Sequence, residues 1–417
     1  MIRNYVTRKS AYKHSSSQFF AHANSGITTY YGHDVAALVK QLRPSAPLYV
    51  LRPDILADTA RHFLSTFPGK SLLAVKTNPT PYVIKELAKA GMRDFDVASI
   101  EEVRLIKSLV PNATLYFMHP IKSPEAIKEA YFTYGVRHFV LDSKDELFKI
   151  MLHTKLAQDL VLYVRMCPPK NNKAAIDFSS KFGASPCECI NLLKECATVA
   201  QKLGLSFHVG TQTTDTSAYE RAIELAAKII RDSGVKVDCL NVGGGFPVAY
   251  DESVPPLCDF VTSIQRALAH HNLSHMELLC EPGRYMSARC ASLIVRVEHR
   301  KGDLLYINDG TYGGLFDAGP LVKAKFRVTH ITEQTAPQSA DSKDTTAPLA
   351  TMPFRLAGPT CDSLDMMEGP FMLPSSIRAG DWIEVHDMGA YSLGMRTNFN
   401  GFGHADLCAL FDEAPKA

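Results

Sequence analysis

At 417 residues, with 46% apolar and 21% charged side chains, the chain exceeds one ordinary core and has the composition of a soluble enzyme, so two domains are expected and disorder or membrane spanning is not. A formal charge of +2 makes no long-range field to gather nucleic acid, and no basic helix interleaved with aromatics occurs. Ten cysteines without short regular spacings argue against a disulfide scaffold and fit a reducing, cytoplasmic setting; Cys187 and Cys189 lack partner ligands at metal spacing, so no metal is expected.

In chain order, no acidic residue precedes Asp34, whereas Arg3, Arg8, Lys9, Lys13 and three serines at 15–17 do. Residues 1–19 read as a flexible basic arm, with organelle import the secondary reading. Residues 20–50 hold a β-like run at 47–51 that can add a strand to a later sheet. From 51 to 283 one unit repeats: a short apolar run, a turn, then an amphipathic helical stretch. The strands read as 71–76, 95–99, 114–119, 138–143, 160–166, 206–211, 239–244 and 276–282. Helix starts are signalled by Ser99 with Glu102, and by Ser143 followed by Lys144, Asp145 and Glu146. Eight strands alternating with seven helices predict a closed parallel (β/α)8 barrel. The rival, an open doubly wound sheet, would show a Gly-rich fingerprint after its first strand, and the Lys76-Thr77-Asn78-Pro79 turn is not one. Residues 284–417 switch to strands without helices, at 291–297, 304–307, 324–331, 352–356 and 381–386, and predict an all-β domain. Residues 333–350 have too few large apolar groups to pack and read as a disordered insertion.

Catalytic groups of such barrels occupy the carboxyl ends of the strands, with a phosphate site after the seventh and eighth. Lys76 ends the first strand. An amine in poor solvent is expected to have a lowered pKa and to attack a carbonyl, forming an imine; the plain alternative is a lysine that snorkels to water. Gly243, Gly244 and Gly245 close the seventh strand, where bare backbone N–H groups can approach an anion. Glu281 and Arg284 end the eighth: a carboxylate for a heterocyclic nitrogen and a fork for a phosphate, or a rim salt bridge. His208, read at the end of the sixth strand, is either a core histidine or a ring stacked on an aromatic cofactor, and Thr211 offers a hydroxyl to the phosphate. An imine-forming lysine, a phosphate cradle and a carboxylate for a ring nitrogen describe pyridoxal 5'-phosphate.

The motifs Ala74-Val75-Lys76-Thr77-Asn78, Phe95-Asp96-Val97-Ala98-Ser99, His208-Val209-Gly210-Thr211, Gly243-Gly244-Gly245-Phe246-Pro247, Glu281-Pro282-Gly283-Arg284-Tyr285, Gly358-Pro359-Thr360-Cys361-Asp362 and Asn398-Phe399-Asn400-Gly401-Phe402 resemble, in this order, those of the fold-type III pyridoxal-phosphate decarboxylases. This is the ornithine and diaminopimelate decarboxylase group, which shares its barrel with alanine racemase. The resemblance implies that Lys76 is the Schiff-base lysine, Glu281 the partner of the pyridine nitrogen and His208 the stacked ring. It implies a phosphate clamp of Gly243, Gly244, Gly245, Arg284 and Tyr391, with Arg165 near the ring and Asp96 and Glu102 near the lysine. Cys361 would return the proton to Cα, against the plain reading of a small buried residue. The family resemblance further implies a homodimer in which the cysteine segment of one subunit enters the other's site, a Lys181–Asp365 bridge across that interface, and a mobile flap at 169–177.

Two departures are visible: Thr211 stands where the family usually has serine, and the stretch after Asn308-Asp309-Gly310 is shorter than in eukaryotic ornithine decarboxylases, leaving Asp317 as the candidate acid for a distal amine. Asp362 and Asp317 suit a distal ammonium rather than a second carboxylate. The expected reaction is decarboxylation of L-ornithine to putrescine, in polyamine biosynthesis. Lysine, giving cadaverine, comes next; diaminopimelate is disfavoured. Arginine is set aside because arginine decarboxylases of this fold are usually longer chains. The rival of another class, an antizyme-inhibitor-like binding protein, would lack cofactor residues, and Lys76, Glu281, Arg284 and Cys361 are all present.

Overall fold

The computed structural model describes residues 22–24, 27–171, 173–174, 181–250, 254–332 and 350–414. Residues 1–19, 333–349 and part of the 169–177 segment, read above as an arm, an insertion and a flap, lie outside the described residues.

Eight parallel strands close into a barrel: Lys70–Ala74 (β1), Asp94–Val97 (β2), Thr114–Phe117 (β3), His138–Leu141 (β4), Val161–Arg165 (β5), Lys202–Ser206 (β6), Cys239–Asn241 (β7) and Glu277–Cys280 (β8). The ring is completed where Leu279 of β8 pairs with Lys70 of β1. Such strands are apolar on both faces because both are covered. Leu72, Tyr116, Val140, Tyr163, Cys239 and Leu279 pack inside the barrel, while Phe95, Phe117, Phe139, Leu162 and Leu205 join the larger cluster beneath the helices. Helix starts follow the serine signals: Ser99, Ser143 and Ser185 accept from the backbone N–H of Glu102, Glu146 and Glu188, satisfying otherwise orphaned donors.

The ladders are shorter than the apolar runs suggest. Each strand leaves its neighbours before the rim, so residues read as strand ends, Lys76 among them, belong to loops. The largest correction concerns β6, which spans Lys202–Ser206 rather than 206–211. Gly204 lies within β6, and its missing side chain is what the strand requires: a Cβ there would lie 2.3 Å from Tyr163 Cδ1 inside the barrel. His208 therefore stands beyond the strand.

The second sheet draws on both ends of the chain. Leu48–Leu51 pairs in parallel with Asp406–Phe411 and antiparallel with Ala291–Lys301, and Asp406–Phe411 also pairs with Ile27–Tyr31. Ala291–Lys301 continues the sheet through Leu304–Ile307, Thr351–Ala357 and Met366–Pro374 on one side and through Trp382–Val385 on the other. Among the described residues no helix is long and apolar enough to cross a membrane.

Candidate active site

The carboxyl ends of the barrel strands enclose a cavity of about 290 Å3, lined in part by Lys76, Asp96, Arg165, His208, Glu281 and Arg284. Lys76 sits on the 3-10 turn Val75–Thr77 that follows β1, and its Nζ bonds Asp96 Oδ2 at 3.0 Å. Its pKa is the reverse of the sequence expectation. Burial pulls it down, but Asp96, Tyr391 and Glu281 together hold it above the ordinary lysine range, because paired negative charge outweighs desolvation. Glu102 backs this corner: its carboxylate accepts from Ala98 N–H at 2.7 Å.

Glu281 follows β8, and its Oε1 accepts from Asn241 Nδ2 at 2.7 Å. Burial and the Asp96 carboxylate push its pKa up to about 7, against the opposing pull of Lys76, Arg165 and the Asn241 amide. His208 Nδ1 accepts from Gly210 N–H at 3.1 Å, which fixes the hydrogen of a neutral ring on Nε2. Burial first, then Arg165 and Lys76, keep that ring far below its usual pKa and so neutral. The Arg165 guanidinium, at the end of β5, lies 5.2 Å from the Phe182 ring.

Arg284 is 9% exposed. Its Nη1 donates to Tyr250 Oη at 2.8 Å and Asp317 Oδ2 at 2.7 Å, and its guanidinium lies 4.7 Å from the Tyr391 ring. Its Nε is buried without a partner, and the residue lines the cavity, so the guanidinium keeps a donor in reserve. The triple glycine shapes the adjoining edge. At Gly243, with φ +69°, a Cβ would fall 2.2 Å from Phe207 O; at Gly244 it would fall 2.5 Å from Glu281 O. Gly245 and Thr211 line the cavity itself. An orphaned donor on a buried arginine beside bare backbone is a fit for the phosphate of a pyridoxal cofactor, and Glu281 for its ring nitrogen.

Other sequence candidates lie elsewhere. Cys361 is exposed, and its N–H donates to Asn400 Oδ1; neither it nor Asp362 lines the cavity of its own chain. Asp317, assigned above to a distal amine, is 7% exposed and committed to Arg284. The chain does not itself join Lys181 to Asp365. Lys181 lines the cavity with its ammonium 5.0 Å from the Phe182 ring, whereas Asp365, 2% exposed, accepts from Thr311 and Thr360 through their N–H and hydroxyl groups. Sequence reasoning passed over Asn241, Tyr250 and Phe182. Asn241 opens the glycine motif and Phe182 follows Lys181, so adjacency could have flagged both; nothing local marks Tyr250. Among the described residues no group of His, Cys, Asp or Glu could hold a metal ion.

Residues 55–288 match the family described as pyridoxal-dependent decarboxylase, pyridoxal binding domain. Lysine/ornithine decarboxylase of Selenomonas ruminantium is 31% identical over 394 residues, covering 92% of this chain and 93% of that protein. Antizyme inhibitor 2 of Xenopus laevis is 32% identical over 378 residues, 83% of this chain and 78% of that one. The crystal structure of the Paramecium bursaria Chlorella virus arginine decarboxylase bound to agmatine superposes with a TM-score of 0.77 at 26% identity, over 90% of this chain and 99% of that one. That enzyme is not a longer chain, so length gives no ground for setting arginine aside. The barrel, the lysine at its mouth and the unused arginine donor beside a triple glycine thus belong to a member of the pyridoxal-dependent decarboxylase family, with pyridoxal 5'-phosphate as its cofactor.

Proposed function

We propose that this chain decarboxylates L-ornithine to putrescine, with L-lysine as its second substrate, and that it does so as a homodimer. The observation that carries the substrate reading is Asp362. Its carboxylate accepts from Leu364 N–H and from the Tyr312 hydroxyl, and these bonds hold it below the usual carboxylate range. It is therefore a full negative charge at neutral pH, suited to a distal ammonium and unsuited to a second carboxylate. Hydrophobic fit alone separates substrates one methylene apart by only ~10–200-fold, so lysine is the natural second substrate. The Selenomonas relative carries both names, lysine and ornithine.

In this reading Lys76 would tether the cofactor, Arg284, the glycine run and Tyr391 would hold its phosphate, and His208, kept neutral by burial, Arg165 and Lys76, would offer its ring an uncharged surface. Bound pyridoxal phosphate supplies an electron sink that lets a bond at the substrate's Cα break without forming a bare carbanion. Glu281 would keep the ring nitrogen protonated, and Cys361 would be the group that delivers a proton to Cα. Cys361 and Asp362 stand on an exposed surface beside Leu364 (60% exposed), Phe399 (44%) and Phe402 (45%), an apolar patch of the kind a second subunit covers. A partner's Cys361 segment would then complete the cavity.

The substrate reading is tested by carbon dioxide release from ornithine, lysine, arginine and meso-diaminopimelate at matched concentrations. Ornithine should lead, and Asp362→Ala should raise KM for the diamino substrates; preference for arginine or diaminopimelate contradicts it. The dimer is tested by mixing Lys76→Ala and Cys361→Ala chains, each nearly inactive alone. Mixed dimers should recover activity through the one intact shared site, and no recovery under subunit exchange contradicts the shared site.

A further inference from the structure

We infer that Asn241 is a positioning residue for Glu281: its amide keeps the carboxylate ionised and aimed, so that the proton of the Glu281–cofactor contact stays on the ring nitrogen. This rests on the reading of Glu281 as the ring-nitrogen partner. Asn241 ends β7 and is fully buried, with no access to water. Its two amide ends have different work. Oδ1 accepts from Gly243 N–H at 2.9 Å, and since a backbone N–H can be met only by the oxygen, the amide orientation is fixed. Nδ2 must then face Glu281, where it donates to Oε1 at 2.7 Å.

That single donor matters because the charges around Glu281 are mixed. Asp96 from β2 opposes a second ionised carboxylate, Lys76 and Arg165 favour it, and His208 beside them is neutral. Burial adds to the Asp96 effect. A carboxylate so poised can share its proton with a pyridine nitrogen in either direction: as carboxylate with protonated ring, or as carboxylic acid with neutral ring. A hydrogen bond to the charged form favours the first arrangement, and only that arrangement makes the ring an effective electron sink. The same asparagine also holds the turn into the glycines, so cradle and carboxylate are set by one side chain.

The test separates turn from donor. In Asn241→Ser the hydroxyl can still accept from Gly243 N–H, two residues on, as serine does in such turns, but it is too short to reach Glu281. The protein is loaded with pyridoxal phosphate labelled with 15N in the ring, and the nitrogen is followed by NMR as pH is raised. The variant should lose ring protonation about one pH unit below the parent, the effect of one hydrogen bond to a charged group. Should Asn241→Ser fail to fold, Asn241→Thr, whose hydroxyl can make the same turn and whose branched side chain suits a strand end, likewise removes the donor and should shift the titration in the same direction. A titration matching the parent's in either folded variant overturns the inference. Glu281→Gln separates the two failures: if it too leaves the titration unmoved, the reading of Glu281 is wrong; if it alone moves it, only the role of Asn241 falls.

Discussion

Replacing Arg284 with methionine should have two effects that can be pulled apart. Arg284 and Asp317 are each 9% exposed at the side chain and joined at 2.7 Å. Removing the guanidinium strands a buried carboxylate, a loss of about 3–5 kcal/mol, and leaves the Tyr250 hydroxyl without its donor. The cofactor-free protein should therefore melt about 3–6 °C lower, at roughly 1 °C per kcal/mol for a chain of this size. Cofactor binding should weaken separately, by about 10- to 100-fold for one lost charge-assisted hydrogen bond of about 1.5–3 kcal/mol. The double variant Arg284→Met/Asp317→Leu removes the stranded charge, so it should regain most of the thermal stability and none of the affinity. Differential scanning calorimetry without cofactor and fluorescence titration with pyridoxal phosphate read the two effects. If affinity returns with stability in the double variant, Arg284 acts only as a structural partner of Asp317 and the phosphate assignment is wrong.

Gly204→Ala should destabilise the barrel by about 1–3 kcal/mol through overpacking against the Tyr163 ring, which is 1% exposed; an unchanged urea midpoint would contradict the account of β6. Lys122, whose side chain is 0% exposed, pairs with Glu146 at 2.9 Å, and burial nonetheless lowers its pKa to about 8. Between that value and the unfolded value of about 10.4 the unfolded chain binds more protons, so this group's contribution to stability rises with pH and is lost as pH falls through 8. Glu146→Gln should cost about 3–5 kcal/mol at pH 7 and move the rise to lower pH; a parallel pH profile of denaturant midpoints would count against it.

How much of this was legible in the chain depends on the kind of signal. Barrel strands are apolar on both faces and separated by well-capped amphipathic helices, so their number and order could be read from periodicity, and the serine caps at Ser99 and Ser143 marked helix starts. Ladder ends could not be read, because residues such as Val75 and Val97 are equally apolar in strand and rim. The β6 ladder, Lys202–Ser206, could not be read because it carries Gly204, a residue of low strand preference whose space is taken by the Tyr163 ring. Lys76, Glu281 and Arg284 could be picked out because each follows a barrel strand at the same rim. The sign of the Lys76 pKa could not, since it depends on Asp96, twenty residues away and in contact only across the β1–β2 pairing. Asp317 was misjudged for the same reason: its tie to Arg284 joins a 3-10 turn at 316–318 to the segment after β8, a contact that no local pattern encodes.

The central claim is that Lys76 is the amine that holds the cofactor. Borohydride reduction of the pyridoxal-phosphate-loaded protein, followed by digestion and peptide mass spectrometry, tests it most directly. The account predicts one stable pyridoxyl adduct, on the peptide containing Lys76, and its loss in Lys76→Ala. An adduct on Lys181 or another lysine, with Lys76 unmodified, would contradict it.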